Sequence, residues 1–214
     1  MGNKVHPRSF RIGITRGWDG SWFADRKMFQ FLLKEDVNIR AFLRKELKEA
    51  QVDRIELERS RQDLKIVIFS AKPGLVIGRS GSGIEELSKK LKEKFFRGKR
   101  VNMSVSVKEV SNPSLSANVV AQQIASEIEK RMPFRRSMKS SIERVMKAGA
   151  LGVKIQVGGR LNGAEISRRE SIANGKTPLH TLRSDIDYAS VRSETIWGTI
   201  GVKVWINRGE VFED

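Results

Sequence analysis

The chain has 214 residues, in which 41 Lys and Arg outweigh 25 Asp and Glu to leave a formal charge of +16. That surplus points to a polyanionic partner, nucleic acid first and an anionic membrane surface second, and a hydrophobic content of 39% suffices for one large domain or two small ones. The absence of Cys excludes disulfides, thiolate nucleophiles and Cys–metal sites, no apolar run approaches the roughly 20 residues of a membrane span, and no signal-peptide core follows the N-terminus, so the expected location is cytoplasmic.

In chain order, residues 1–16 carry Lys4, Arg8, Arg11 and Arg16 and no acid. They read as a basic arm, and the alternation of Phe10, Ile12 and Ile14 predicts that part of it docks as a strand. We expect residues 1–35 to form a basic N-terminal segment packed on the first domain, with a turn at Gly17–Gly20 and with Trp22 and Phe23 as packed aromatics. Val37, Phe42, Leu43 and Leu47 recur near helical spacing and predict a helix over 36–50. Ile55 and Leu57 alternate with charged residues as a half-buried strand. Gln62-Asp63 reads as a polar turn. Leu64, Ile66 and Ile68, with Val67 and Phe69 off phase, predict a second strand buried on both faces, so the segment reads as a hairpin.

Pro73 then opens a short helix into Gly78-Arg79-Ser80-Gly81, and a helical run from Glu85 to Phe96 follows with Leu87, Leu91 and Phe95 on its apolar face. Glycines permit a tight turn and close backbone approach. A helix start adds unpaired N–H groups and partial positive charge. Together with Arg79 these suit a phosphate. A P-loop requires Lys then Ser or Thr after its last glycine, where Ile84 and Glu85 stand here, and the dinucleotide fingerprint requires Gly-x-Gly-x-x-Gly, so neither is supported. A Gly-x-x-Gly loop between helices is how the KH module clamps single-stranded nucleic acid. Lys89, Lys90, Lys92 and Lys94 crowd the polar sides of the following helix. A charge run is ordinarily a solvated face, but beside the glycine loop it favours binding. Val101, Met103, Val105 and Val107 predict a third strand. The order helix, strand, strand, helix, glycine loop, helix, strand is that of a type-two KH domain, expected over 36–110.

Ser111-Asn112-Pro113-Ser114 is a breaker cluster and the expected boundary. A helix over 117–131 carries Val120, Ile124 and Ile128 on one stripe, and Met132-Pro133 ends it. A second helix over 134–148 buries Phe134, Met138, Ile142, Val145 and Met146, leaving Arg135, Arg136 and Lys139 as a positive edge near which only Glu143 is available to neutralise charge. Val153, Ile155 and Val157 form a strand ended by Gly158-Gly159. The polar stretch from Gly159 to Tyr188 reads either as a long ordered loop held by rRNA or as strands with basic flanks. Ile196 to Ile206 reads as a last strand pair, turned near Gly198 or Gly201. Residues 111–214 are thus an α/β unit with helices on one side of a small sheet, and the whole chain is of α+β class.

Four stretches carry a family resemblance: Gly2-Asn3-Lys4-Val5-His6-Pro7, Pro73-Gly74-Leu75-Val76-Ile77-Gly78, Phe134-Arg135-Arg136-Ser137-Met138-Lys139, and Gly159 to Tyr188 with its Pro178-Leu179-His180-Thr181-Leu182-Arg183-Ser184-Asp185-Ile186-Asp187-Tyr188. With Gly201-Val202-Lys203-Val204-Trp205-Ile206 near the end, the sequence resembles the bacterial family of small-subunit ribosomal protein three over essentially its whole length. It departs at Ser9, where the family usually has Gly, at Asn162-Gly163, usually Gly-Gly, and in stopping at Asp214 without the basic tail of many members. The resemblance implies a structural rRNA-binding protein of the subunit head, in contact with small-subunit ribosomal proteins ten and fourteen. It also implies a face on the channel through which mRNA enters, where Arg135, Arg136 and Lys139 occupy the positions linked to guiding and unwinding mRNA. Lys4, Arg8, Arg11, Arg160, Arg168, Arg169 and Arg183 are the candidate rRNA contacts, and Gly78, Arg79, Ser80 and Gly81 the KH loop.

Two other functions compete. A regulatory KH protein would act on free transcripts and would not stay with the subunit through a high-salt wash. A nuclease or lyase would need chemistry that is hard to find: no Asp/Glu cluster has metal-like spacing and no nucleophile–base pair stands out. His6 and His180 are a poor basis for a metal site or a triad and read as structural or RNA-facing. No cofactor, metal or enzymatic activity is expected.

Overall fold

The structure, a computed structural model, describes residues 4–60, 63–98 and 101–212. It divides into two compact units, one of Trp18–Ser111 and one that joins residues 4–17 to the chain from Asn112 onward.

In the first unit, β1 (Gly20–Ser21) precedes a 21-residue helix, α1 (Arg26–Glu46). The hairpin β2 (Val52–Arg59) and β3 (Asp63–Ser70) follows, with Gln62 of the expected turn outside the described residues. Then come the short α2 (Pro73–Ile77), α3 (Ser82–Phe95) and β4 (Asn102–Glu109). The sheet order is β1-β2-β3-β4, with β2 antiparallel to β3 and both outer pairs parallel. Proline at the first position of α2 loses no helical hydrogen bond, because that N–H would be unpaired anyway. The core gathers Ile39, Leu43, Ile55, Leu57, Ile66, Ile68 and Leu91, each at most 2% exposed. Burying such a side chain contributes roughly 1.5–3 kcal/mol.

The first helix begins ten residues before the expected Asp36. Its early turns carry Met28, Phe29, Phe31 and Leu33, all exposed, so no core-facing stripe marks them in the sequence. Asp36 is instead a buried carboxylate inside the helix. It accepts from Trp22 Nε1 at 2.8 Å and Arg59 Nε at 2.6 Å. Trp22 also lies 5.2 Å from Phe29, but Phe23 is 93% exposed and corrects the expectation of a packed ring.

The second unit holds α4 (Ala117–Glu129), α5 (Phe134–Lys147) and a fully antiparallel sheet of β5 (Gly152–Gly159), β6 (Arg168–Gly175), β7 (Ser184–Thr195) and β8 (Gly198–Glu210). Its order is β6-β5-β8-β7. Ser116 caps α4, its Oγ accepting from Val119 N at 3.3 Å. α4 packs on β7 and β8, and α5 on β5 and β6. The period of two in β5 and β8 puts Val153, Ile155, Val157, Val202, Val204 and Ile206 beneath the helices, all fully buried.

Of the two readings of the stretch from Gly159 to Tyr188, strands with basic flanks is the one that holds, since β6 and the start of β7 occupy part of it. Two other expectations change. The last strand pair is β7 with β8, closing at Ile196-Trp197, because Thr195 pairs with Gly198. The alternating polar side chains of β7 hid it. Residues 4–17 join this unit rather than the first and form no strand of Phe10, Ile12 and Ile14. Ser9–Arg11 makes a 3-10 turn and the chain turns again at Gly13, whose φ is 81°. The side chain turned inside is Arg11.

Candidate nucleic-acid interface

The glycine loop is built on left-handed backbone. φ is +71° at Gly78, +53° at Ser80 and +87° at Gly81, and α3 starts at once. A Cβ on Gly78 would lie 2.8 Å from Gly83 N, and one on Gly83 would lie 2.6 Å from Val76 O and 3.0 Å from Ile77 O. Gly83 therefore lets the start of α3 rest on the end of α2, a role the Gly-x-x-Gly motif alone did not reveal. Arg79 and Ser80 are exposed, and among the described residues Arg79 makes no ion pair. No side chain caps the N-terminus of α3, so its first N–H groups and dipole are offered to an anion. Leu75 and Ile77, 59% and 37% exposed, leave apolar surface beside the loop. Of the lysines behind it, Lys90 pairs with Glu46 at 3.4 Å and Lys94 lies 4.4 Å over the Phe42 ring, while Lys89 and Lys92 face solvent without an ion pair among the described residues.

On α5, Phe134, Ser137, Met138, Ser141, Ile142 and Val145 are buried, and Arg135, Arg136 and Lys139 are exposed. The three do not stand alike. Glu170 on β6 grips Arg135 through two hydrogen bonds of 2.9 Å and also takes Arg168 at 3.4 Å. The hydrogen bond to Glu170, then its charge, raises the Arg135 pKa, and the same bond holds the Glu170 carboxyl below the usual glutamate range. Glu143 was thus not the neutralising residue, because strand pairing brings Glu170 across 35 positions of sequence. Arg136 and Lys139 make no ion pair among the described residues.

The candidate rRNA contacts divide in the same way. Lys4 and Arg169 are exposed, and Arg8 is half-buried. Arg160 donates from Nε to Ala164 O at 2.9 Å. Arg183 pairs with Glu210 at 2.8 Å yet keeps 61% of its side chain exposed. Arg11 cannot touch RNA: it is fully buried, and its guanidinium donates to the carbonyls of Pro7, Pro178, Leu179, Thr181 and Ser184 at 2.7–3.4 Å. His180 is exposed. His6 sets its ring edge-on to Tyr188 at 4.8 Å, and burial and then Arg8 lower its pKa. Arg16, which had no assigned role, ties the arm to β7 through Asp185 and Asp187, each at 3.0 Å. Burial opposes the Arg16 charge, but the two carboxylates outweigh it and raise its pKa. Arg208 joins the group, pairing with Asp187 at 3.0 Å. Among the described residues no helix is long and apolar enough to cross a membrane.

Two family descriptions match: a KH domain over residues 38–115, and "Ribosomal protein S3, C-terminal domain" over residues 124–206. Curated relatives match along the whole chain. "Small ribosomal subunit protein uS3" of Pelotomaculum thermopropionicum is 49% identical over 214 residues, covering 100% of this chain and 91% of its own. The protein of the same name from Coxiella burnetii is 49% identical over 211 residues, covering 99% and 91%. That of Desulfitobacterium hafniense is 48% identical over 211 residues, covering 99% and 94%. These relatives bear the name of a structural ribosomal protein, not of an enzyme. With a KH fold in its first unit, helices over an antiparallel sheet in its second, and this identity along its whole length, the chain belongs to the ribosomal protein S3 family.

Proposed function

We propose that the protein is a structural component of the head of the small ribosomal subunit, located in the cytoplasm. There it binds rRNA and lines the channel through which mRNA enters, helping to position and unwind the message. Residues 36–110 act as the RNA-binding KH domain and 111–214 as the ribosomal α/β domain. The observation that carries the mRNA reading is the pair Arg136 and Lys139. They are exposed, lie without an ion pair among the described residues, and sit about one turn apart on a helix fixed by the buried Phe134 and Met138. Arg135 supports them more weakly because Glu170 already holds it. Contacts of this kind go to phosphates and carry no base information. The exposed Phe23, Met28 and Phe31 offer apolar surface suited to protein neighbours, which the family resemblance identifies as small-subunit ribosomal proteins ten and fourteen.

Subunits carrying Arg136→Ala with Lys139→Ala test this. Single-strand binding loses roughly 0.7 of salt slope per phosphate contact, so the double variant should flatten the slope by about 1.4. Translation should proceed normally on unstructured messages and slow on hairpins met near the channel mouth, because a duplex must be held open against re-pairing. Equal slowing of both messages, or of neither, would show that these residues have no such role.

A further inference from the structure

The hairpin between β7 and β8 closes through just two residues, Ile196 and Trp197, and Thr195 Oγ1 donates to Gly198 O at 2.7 Å. Two-residue turns favour Asn and Gly, yet here the tip carries two large apolar side chains, 74% and 53% exposed. Neither belongs to the core of its unit. The indole is not loose. A Cβ added to Gly163 would come within 3.1–3.3 Å of Trp197 Nε1, Cε2 and Cδ1, so the five-membered ring lies against the bare Cα of that glycine. The supporting turn has consecutive left-handed residues, Asn162 at φ +56° and Gly163 at φ +78°, and the Arg160 hydrogen bond to Ala164 O braces it. A flat ring is therefore held in place and half open to solvent.

Its surroundings carry charges of both signs, with Arg160 in the same supporting turn. Arg168 on β6 pairs with Gly159 on β5, which lies against Thr199 and Ile200 on β8. Two inter-strand spacings, about 10 Å, thus separate the start of β6 from Ile200, three residues along the chain from Trp197. Arg135, Arg160, Arg168 and Arg169 stand at this end with Glu165 and Glu170, the last already paired with Arg135 and Arg168, while Glu194 lies opposite Thr199 on the hairpin and its N–H donates to Glu129. A held, half-exposed ring beside Arg160, on a chain of formal charge +16, suits a nucleobase with its phosphate, since every base has a face to stack and an arginine takes the backbone.

We propose that Trp197 is a stacking platform for a base of single-stranded RNA, with Arg160, in the turn that holds the ring, taking an adjoining phosphate. This rests on the reading that the second unit grips a single strand. It adds a residue on a different element from the basic edge of α5.

The test uses the full chain and a single-stranded RNA oligonucleotide of mixed sequence, followed by fluorescence anisotropy over a range of salt. Trp197→Ala should weaken binding about tenfold, as expected for losing one stacked base. Trp197→Phe should keep most of the affinity. The salt slope should not change, because stacking releases no counterions. An oligonucleotide of abasic residues should bind wild type and Trp197→Ala alike, which separates lost stacking from a damaged fold. Wild-type affinity in Trp197→Ala, or an equal loss on the abasic strand, overturns the proposal. So does unchanged RNA affinity joined to poor incorporation into subunits, which would make the hairpin tip a protein contact. Arg136→Ala with Lys139→Ala, run alongside, reports on the basic edge separately: an unchanged slope there sinks that reading and leaves the stacking result to stand by itself.

Discussion

Arg11 directs its guanidinium at five carbonyls and at no carboxylate among them. Burial, and then the nearby Arg16, push its pKa down from the usual arginine value, and Asp185 opposes them. Backbone carbonyls thus replace water around a buried charge, and the charge in turn satisfies carbonyls of the segment between β6 and β7. Replacing it by Met would keep much of the stem and strand those acceptors. We expect Arg11→Met to destabilise the second unit by on the order of 3 kcal/mol, since buried hydrogen bonds to charged groups contribute about 1.5–3 kcal/mol each and do not add fully. Arg11→Lys should recover little, because an ammonium cannot reproduce the planar fork. Urea unfolding measures both; a loss under about 1 kcal/mol for each would show that the clamp contributes little. None of this was legible in the sequence. Four cations in an acid-free arm look alike, and which one turns inward depends on carbonyls about 170 positions away. Glu170 is a second case, because β5–β6 pairing rather than helix spacing delivers it to Arg135.

At the scale of elements, the join of α2 to α3 depends on Gly83 together with Gly78, and less on Gly81, the other glycine of the loop motif. Gly83→Ala drives a methyl to within 2.6 Å of Val76 O and must part the helices. It should cost about 1–3 kcal/mol, as overpacking does, and weaken RNA binding by the KH unit. Gly81→Ala meets open space and suffers only its left-handed φ, so about 1–2 kcal/mol is expected. Thermal melts of both variants check the order, and Gly83→Ala melting above Gly81→Ala would contradict it. Elements with regular apolar spacing were legible: β2, β3, β4, β5 and the stripes of α4 and α5. The early turns of α1 were not, because their apolar side chains face away from the core of that unit. β7 was not, because Asp185, Asp187, Ser190, Arg192 and Glu194 made it resemble a polar loop.

Across the whole molecule, the order of elements and the fold class could be read from turn residues and hydrophobic period, but the membership of residues 4–17 could not. That depends on Arg11 and on the Arg16–Asp185–Asp187 pairs, contacts of long sequence separation that no local pattern records. Removing residues 1–17 should therefore lower amide-exchange protection in β7 and β8, which lie in the second unit, and leave α1 and β3 of the first unchanged. Equal loss in both units would contradict this division. The arrangement also bears on synthesis. Trp18–Ser111 is contiguous, so everything the first unit needs has emerged before the part of the second unit that follows residue 111 begins to appear. Residues 4–17 must wait, because their docking site includes Ser184, Asp185 and Asp187. The cost of closing a loop of that length grows only slowly with length, so the delay is one of translation rather than of search. An interrupted product ending before residue 184 would leave its arm undocked and its second sheet unfinished, exposed to proteases. The burial of one arginine thus doubles as a marker that translation has passed β7.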